Sequence, residues 1–422
     1  MSKPYVTILG KAVRGLTKLR GGGTAFPGLF VERIDPNFIK STLASLPEGV
    51  VVISGTNGKT TTTKMVVELL ESQGLKVFTN RTGSNFTRGV AAALLGEIDL
   101  RGRLHADIAV LELDEAHAVH FVRTIAPRYS LILNVMRDQL DRFGEIDATT
   151  KLLKTIAQAT TGTVVLNRED SRVARIHESL DTQHVSYFGL SDDLLPTFPS
   201  DDNLHGGKQH DKRPVAEVIL KSFADTQATF SMSGQDISTH LKLNGIYNVF
   251  NAAAALALVR SIVGEHIDQP ALITALSNVT PAFGRGESFM VDGQPIELIL
   301  VKNPSGFRLG LQSFDPTGYA TMIAINDNYA DGRDMSWLWD VDFATLGSEG
   351  VEQVSGIRAY DMALRLQYDD IPMDSVMPHI PAALKQFLRE NTDKPKRIYC
   401  TYTAMLTIRK RLGKITHVES IG

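Results

Sequence analysis

The sequence predicts an α/β protein with a buried parallel sheet, followed by a second α/β unit. Short apolar runs alternate with helical patterns between about residues 49 and 170, which is typical of strand–helix–strand units. A glycine-rich turn follows the first run, at the kind of strand end where such sheets bind ligands. A second series of runs begins after residue 286. We therefore predict a lead-in over 1–48, a central domain over 49–286 and a third domain over 287–422.

The composition indicates a packed globular chain that does not bind nucleic acid in a general way. Its 422 residues suggest roughly three domains, and 43% hydrophobic residues suffice for a buried core. A formal net charge of -3 argues against a nucleic-acid surface. The single cysteine, Cys400, excludes an intrachain disulfide and a cysteine-ligated zinc site. Without a signal-peptide pattern or an apolar run of bilayer length, we expect a cytoplasmic enzyme.

The lead-in is predicted as a short basic helix, then three glycines at 21–23, then an extended segment. Its basic residues are Lys11, Arg14, Lys18 and Arg20. They would attract an anionic lipid surface or a pyrophosphate, or they simply form a solvated helix face. Contact with the inner face of the membrane therefore stays open.

The turn after the first apolar run has the chemistry of a phosphate cradle. Its residues are Gly55, Thr56, Asn57, Gly58, Lys59, Thr60 and Thr61. Glycines let backbone N–H groups approach phosphate oxygens, and the following helix contributes the positive end of its dipole. Lys59 is predicted to reach the outer phosphates and Thr60 to ligate Mg²⁺. The spacing is shorter than in the common P-loop, since Ile53 stands where that motif has a glycine.

Acidic side chains follow the next two runs, at the same predicted sheet edge. Glu112 is predicted as a metal ligand and Glu115 as a ligand of a second metal, because Mg²⁺ takes one or two carboxylates. Asp138 and Gln139 would contact metal or substrate. Arg142 would bind a phosphate or a carboxylate.

The remaining elements follow from apolar runs and breakers. Residues 190–214 are predicted as an exposed loop and 281–286 as a domain boundary. Strands are predicted at Ala216–Leu220, Ala228–Met232, Ile296–Val301, Tyr319–Ile325 and Ile398–Thr401, and helices at Tyr247–Val263 and Ile357–Tyr368.

Together these motifs resemble the Mur ligases. The resemblance rests on the glycine-rich string, on Asn-x3-Asp-Gln-Leu-Asp-Arg-x-Gly from Asn134, and on the helix start with Gly245, Asn248 and Asn251. It implies a Mur-ligase-like central P-loop domain with a parallel sheet, a C-terminal Rossmann-like α/β domain, and ATP with Mg²⁺. It also implies that Asn248 lies beside the adenine and that Arg285 reaches the nucleotide phosphates.

The third domain resembles one branch only, the MurT branch. The residues concerned are 302–306, 326–337 and 401–406. This resemblance implies a ligase of peptidoglycan synthesis that uses ATP to amidate the α-carboxyl of D-glutamate in the lipid II stem peptide, through an acyl phosphate, to D-isoglutamine. A GatD-like glutamine amidotransferase subunit would supply the ammonia in a heterodimer.

The implied catalytic residues are Lys59, Glu112 and one aspartate of the acid-rich loop, Asp327–Asp334. That aspartate would orient the partner's catalytic histidine, and we favour Asp334 over Asp331.

The sequence also departs from the family. Many members carry a four-cysteine zinc ribbon that this chain cannot form, so no zinc is expected. Gln139 stands where ordinary Mur ligases have a histidine. Lys151 and Lys154 lie near the family's modified lysine but out of register, so carbamoylation stays open. Two alternatives are an amino-acid-adding Mur ligase or folylpolyglutamate-synthase-like ligase, and a non-catalytic nucleotide-binding scaffold.

Overall fold

The computed structural model describes residues 4–19, 26–80, 87–136, 146–198, 213–224, 226–243, 246–280 and 285–418. Their strands form a nine-stranded sheet and a six-stranded sheet, with helices packed on both. The predicted α/β class is confirmed.

The first sheet and its helices occupy the chain up to residue 280. The helices are α1 (Pro4–Leu19), α2 (Phe26–Ile34), α3 (Phe38–Leu43), α4 (Lys59–Ser72), α5 (Thr87–Glu97), α6 (Glu115–Val122), α7 (Ile146–Gln158), α8 (Ser171–Ala174), α9 (Ile246–Val263) and α10 (Gln269–Asn278). The strands are β1 (Gly49–Ser54), β2 (Val77–Thr79), β3 (Ile108–Glu112), β4 (Tyr129–Ile132), β5 (Thr163–Asn167), β6 (His184–Leu190), β7 (Val218–Ala224), β8 (Gln227–Met232) and β9 (Gln235–His240).

Strand β1 lies inside this sheet, between β3 and β4, and both pairings are parallel. Pairing stays parallel out to β7, and β8 and β9 add an antiparallel hairpin. In the register of the centre, Ile53 lies beside Glu112 and Ser54 lies beside Ile132. The carboxyl ends of β1, β3 and β4 therefore share one edge, as the alternation of apolar runs predicts.

Helix α9 packs with α4 against one face of the sheet. Residues 252–259 are at most 1% exposed. By length and composition the helical stretch Tyr247–His266 could cross a membrane, although no apolar run of that length was expected. A buried core helix passes the same test, and burial of residues 252–259 makes α9 a core helix here.

The lead-in contradicts the expectation of an extended segment. After α1, residues 26–43 form the helices α2 and α3, and Val6, Val31 and Phe38 belong to the hydrophobic core on the other sheet face. Helix α2 packs closely on α5, because a Cβ at Gly28 would lie 2.0 Å from the Arg88 carbonyl oxygen. The prediction missed α2 because Pro27 reads as a breaker, whereas a proline is tolerated in the first turn of a helix.

The second sheet contains residues 285–400. Its strands are β10 (Arg285–Val291), β11 (Gln294–Leu300), β12 (Ala320–Ala324), β13 (Val351–Ser355), β14 (Met373–Met377) and β15 (Lys396–Cys400). Its helices are α11 (Pro304–Ser313), α12 (Ala359–Tyr368), α13 (Ile380–Glu390) and α14 (Tyr402–Leu412). The strand order is β10-β11-β15-β12-β13-β14, and only β10 with β11 is antiparallel.

The sequence-predicted elements lie within four residues of the observed bounds, but the strands β2, β6, β9, β10, β13 and β14 were missed. Of the predicted loop at 190–214, residues Asp192–Thr197 form a 3₁₀ helix, and 199–212 lie outside the described residues.

Candidate functional site

The turn between β1 and α4 needs both of its glycines. Gly55 has φ +135° and Gly58, which precedes the first residue of α4, has φ +87°. A Cβ on Gly58 would lie 2.6 Å from the side-chain oxygen of Asn251, and one on Gly55 would lie 3.0 Å from the backbone nitrogen of Asn134. Glycine is the residue that adopts these dihedrals and leaves this space. The turn thus takes the conformation that the sequence predicts for a phosphate cradle.

Lys59 is 7% exposed and its ammonium group folds back over the turn. It donates to the Gly55 carbonyl and, at 3.3 Å, to the Thr56 carbonyl. Its nitrogen is also 3.4 Å from a carboxylate oxygen of Glu115, which is itself 2% exposed. A cation is therefore held at the first turn of α4, where the helix dipole adds further positive potential.

The predicted metal ligands Thr60 and Glu112 lie side by side. The Thr60 hydroxyl donates to Glu112 Oε1 over 2.8 Å across the ends of α4 and β3. The Asn80 side chain holds the backbone of Glu112. It donates to the Glu112 backbone carbonyl at 2.9 Å and accepts from the Glu112 backbone N–H at 3.0 Å. Sequence reasoning gave Asn80 no role, because only the fold brings the end of β2 beside the end of β3.

The other predicted metal ligands lie apart from this pair or outside the described residues. Glu115 pairs with Lys59, and its assignment to a second metal stays a prediction. Asp138, Gln139 and Arg142 lie outside the described residues. Where the structure describes the chain, no three His, Cys, Asp or Glu side chains converge on one point. Because Mg²⁺ takes one or two carboxylates and completes its shell with water and phosphate, Thr60 and Glu112 remain its predicted ligands.

Asn134, which follows β4, locks the turn in place. Its side chain accepts from Asn57 N–H at 2.8 Å and donates to the Asn57 carbonyl at 3.0 Å. Its own carbonyl accepts from Thr56 N–H at 3.0 Å. The end of β4 therefore sets the shape of the cradle.

A cleft of about 140 Å³ opens beside the turn, between the two sheets. Its lining combines residues of the turn, of the segment after β4, of α9, and of β11, α11 and the chain next to them. They include Asn57, Gly58, Asn134, Tyr247, Asn248, Asn251, Leu300, Lys302 and Phe314. Asn248, the predicted adenine neighbour, is thus in the cleft wall. Burial raises the pKa of the Tyr247 phenol, so this side chain stays protonated and uncharged at neutral pH.

The third domain touches the turn directly. Lys302 Nζ lies 3.2 Å from the Thr56 carbonyl oxygen, and Asn303 Nδ2 lies 3.3 Å from Asn57 Oδ1. Asn303 is also the N-cap of α11, because its side chain accepts from the Gly306 N–H at 2.7 Å. Both residues were noticed in the sequence without a role. The apolar run followed by Lys-Asn-Pro was the signal that could have placed them at a strand end.

The side chain of Arg285, which the resemblance places near the phosphates, lies outside the described residues; its backbone begins β10. Lys151 and Lys154 are both exposed on α7.

The two candidate aspartates have different surroundings. Asp331 is 1% exposed, and its carboxylate accepts from Thr403 N–H at 2.7 Å and from the Thr403 hydroxyl at 2.5 Å, at the start of α14. Asp334 is half-buried and accepts from Ser336 N–H at 2.9 Å. Hydrogen bonds from Ser336 lower the pKa of Asp334, so its carboxylate stays charged at neutral pH.

Cys400 belongs to the core of the second sheet. Burial raises the pKa of its thiol. Of the two tryptophans that follow the acid-rich loop, Trp337 is buried and Trp339 is exposed.

Comparisons with known proteins agree with this arrangement. The Mur ligase middle domain model matches residues 53–259, and the MurT ligase C-terminal model matches residues 300–405. The chain is similar to the lipid II isoglutaminyl synthase (glutamine-hydrolyzing) subunit MurT of Streptococcus pneumoniae (strain ATCC BAA-255 / R6), at 30% identity over 93% of each chain. The MurT subunit of Staphylococcus aureus (strain COL) is 28% identical over 84% of this chain and 85% of its own.

Among solved structures, MurF ligase from Thermotoga maritima in complex with ADP aligns with a TM-score of 0.67. The alignment covers 90% of this chain and 83% of the MurF chain, at 17% sequence identity. That likeness shows a shared fold and confirms the predicted Mur-ligase-like architecture.

Proposed function

The chain belongs to the MurT branch of the Mur ligase family, and from this premise we propose that it is the ligase subunit that amidates lipid II. In this reaction the α-carboxylate of D-glutamate in the stem peptide takes the γ-phosphoryl group of ATP, and ADP leaves. Ammonia then attacks the acyl carbon of the acyl phosphate. Phosphate departs with one former carboxylate oxygen, a proton is lost, and D-isoglutamine remains.

The observation that carries this proposal is the meeting of a glycine turn, a lysine and a threonine–glutamate pair at one sheet edge. Backbone N–H groups, the Lys59 ammonium and the start of α4 all favour anionic oxygens there. Nothing among the described residues accepts from or donates to the buried Thr61 hydroxyl, which follows this pair in α4. A nucleotide phosphate would satisfy it.

Thr60 and Glu112 fit a magnesium ion. Both offer hard oxygen ligands, and their oxygens lie 2.8 Å apart at the strand end. Bound there, Mg²⁺ would neutralise charge on the phosphates. Asp138 and Glu115 remain proposed further ligands.

Two lysines would stabilise the charge that develops during transfer. Lys59 comes from the central domain and Lys302 from the third, and both ammonium groups reach the Thr56 carbonyl. In a buried site such fixed cations act strongly and need little rearrangement. We assign Asn248 to the base and Arg285 to the phosphates, as the family resemblance implies.

The ammonia must come from another protein. The only cysteine is fully buried and its thiol pKa is raised, so this chain has no thiol for hydrolysing glutamine. The MurT relatives are described as glutamine-hydrolyzing and as subunits. A glutamine amidotransferase partner, resembling GatD, fits both facts.

We place the partner on α12 and the adjoining acid-rich loop. One side of this helix exposes Tyr360, Leu364 and Tyr368, and Ile357 lies just before the helix; each is more than half exposed. The Trp339 ring packs edge-on against Tyr368, with ring centres 5.5 Å apart. Large aromatic side chains that are exposed on a folded surface are typical anchors of protein interfaces.

The acid-rich loop is tied to this same surface. Arg358, which precedes α12, donates to Asp327 over 2.8 Å. Asp334 lies further along the loop and is charged and partly exposed, so it is available to orient a histidine of the partner. The Asp331 carboxylate already accepts hydrogen bonds from Thr403 at the start of α14, so we assign it a structural role.

Mass spectrometry of lipid II tests the proposal. The chain, a GatD-like amidotransferase, ATP, Mg²⁺ and glutamine are incubated with lipid II, and Lys59→Gln provides the matched control. Amidation lowers the mass by about one dalton, whereas addition of an amino acid raises it by on the order of a hundred. A gain of that size supports an amino-acid-adding ligase. An unchanged mass in every reaction would indicate a nucleotide-binding scaffold.

A further inference from the structure

We propose that the outer face of α1 docks onto an anionic lipid bilayer. This inference goes beyond the proposed reaction and does not depend on it, because it rests on one helix and its charge.

Helix α1 is held to the protein by one side only. Val6 is fully buried. A Cβ on Gly10 would lie only 2.6 Å from side-chain carbons of Leu95 in α5 and of Val31 in α2. Close backbone approach at Gly10 therefore fixes α1 to α2 and α5. The orientation of the helix, and of its outer side, is set by this packing.

The outer side is apolar although it faces solvent. Tyr5, Ile8, Leu9 and Leu16 are 56%, 54%, 47% and 59% exposed. With 3.6 residues per turn they fall within an arc of roughly 100°, so they form one stripe. A helix packed on one side normally has polar residues on the other. A second apolar stripe on the exposed side indicates that α1 binds another apolar surface.

The charge around this stripe identifies that surface. Residues 1–31 contain Lys3, Lys11, Arg14, Lys18 and Arg20 and no aspartate or glutamate, although the whole chain carries a net charge of -3. In the same helical projection Lys11 falls on the flank of the stripe, beside Ile8, whereas the Arg14 guanidinium packs against Gly96 of α5. An apolar stripe with a basic flank is the pattern of helices that lie in the interface of anionic membranes.

The exposed apolar surface at α12 is different. Its stripe is rich in tyrosine, and the oppositely charged Arg358 and Asp361 lie beside it. Mixed charge and aromatic side chains suit a protein partner. The stripe of α1 is mainly aliphatic and its charges have one sign, which favours a lipid surface over a protein.

Vesicle flotation with the full-length chain tests the inference. Vesicles of phosphatidylcholine alone are compared with an equal mixture of phosphatidylcholine and phosphatidylglycerol, without ATP or a partner. The wild type should float with the anionic vesicles, and flotation should fall as NaCl rises from about 0.05 to about 0.5 M. The double variant Ile8→Gln, Leu16→Gln should bind at least about tenfold more weakly.

A matched variant controls for loss of exposed apolar surface in general. Tyr360→Gln, Leu364→Gln removes a similar area from α12 and should float like the wild type. Lys11→Glu retains the stripe and should weaken binding to anionic vesicles alone, so the inference remains testable if the double variant does not fold. Thermal melting followed by circular dichroism checks folding.

Any one of four results would overturn the inference. The wild type would fail to float with anionic vesicles, or the α1 double variant would float as well as the wild type. Alternatively, light scattering would show a dimer that the α1 variant converts to a monomer, or the α1 variant would no longer capture an amidotransferase. In those last cases the stripe would belong to a protein interface.

Discussion

The substitution Gly58→Ala tests how the turn binds a nucleotide. Gly58 has φ +87°, and in this left-handed region an alanine costs roughly 1–2 kcal/mol relative to glycine. The new methyl group would also lie 2.6 Å from Asn251 Oδ1, so the Asn251 side chain must move. Asn251 lines the cleft, and losing one hydrogen bond from its side chain to a nucleotide would cost about 0.5–1.5 kcal/mol, or about a two- to thirteenfold weaker affinity.

Gly74→Ala is the matched control at the other end of α4. Gly74 has φ +84°, but nothing lies within 4 Å of the added Cβ. Both variants should therefore lose a similar free energy of unfolding, measured by urea denaturation, whereas only Gly58→Ala should bind ADP more weakly in a calorimetric titration. Equal ADP affinity of the two variants would refute the reasoning, because the contact with Asn251 would then have no bearing on the nucleotide.

The remaining predictions concern four side chains. Glu112→Gln should lower Mg²⁺-dependent amidation by at least about a hundredfold with little change in melting temperature. Normal turnover of this variant would show that Glu112 is not a metal ligand. Asp331→Asn should lower the free energy of unfolding by about 1–3 kcal/mol, since a buried acceptor is replaced by a donor. Asp334→Asn should leave ADP binding and stability intact yet abolish glutamine-dependent amidation in the assembled complex; wild-type product yield contradicts this assignment. The Cys400 thiol, whose pKa is raised by burial, should resist iodoacetamide at pH 8 in the native protein and react after unfolding in urea, and rapid alkylation of the native chain would contradict its place in the core.

The parts of the site that are continuous in sequence could be predicted from sequence. The run 50–53, the glycines and the start of α4 form a local pattern, since strand, turn and helix each have their own signal within a dozen residues. The position of Glu112 at the same sheet edge as the turn could also be predicted, because parallel strands place their carboxyl ends together.

The parts that depend on distant contacts could not be predicted. Asn80 clamps Glu112 from a three-residue strand that is too short to show a period, and Lys302 reaches the turn from the other domain. Likewise, α2 was hidden by Pro27, whose place in the first turn of a helix shows only in the fold. Asp334 was favoured over Asp331 on resemblance alone. The different burial of the two carboxylates now supplies a physical reason for the choice.

A crystal structure of the chain with Mg²⁺ and a non-hydrolysable ATP analogue would show whether the turn binds a nucleotide. We expect the phosphates on the backbone amides of the turn and the ion on Thr60 and Glu112. The Lys59 ammonium should have moved from the Gly55 carbonyl to a phosphate oxygen. An analogue bound elsewhere, with Lys59 still on the Gly55 carbonyl, would contradict this expectation.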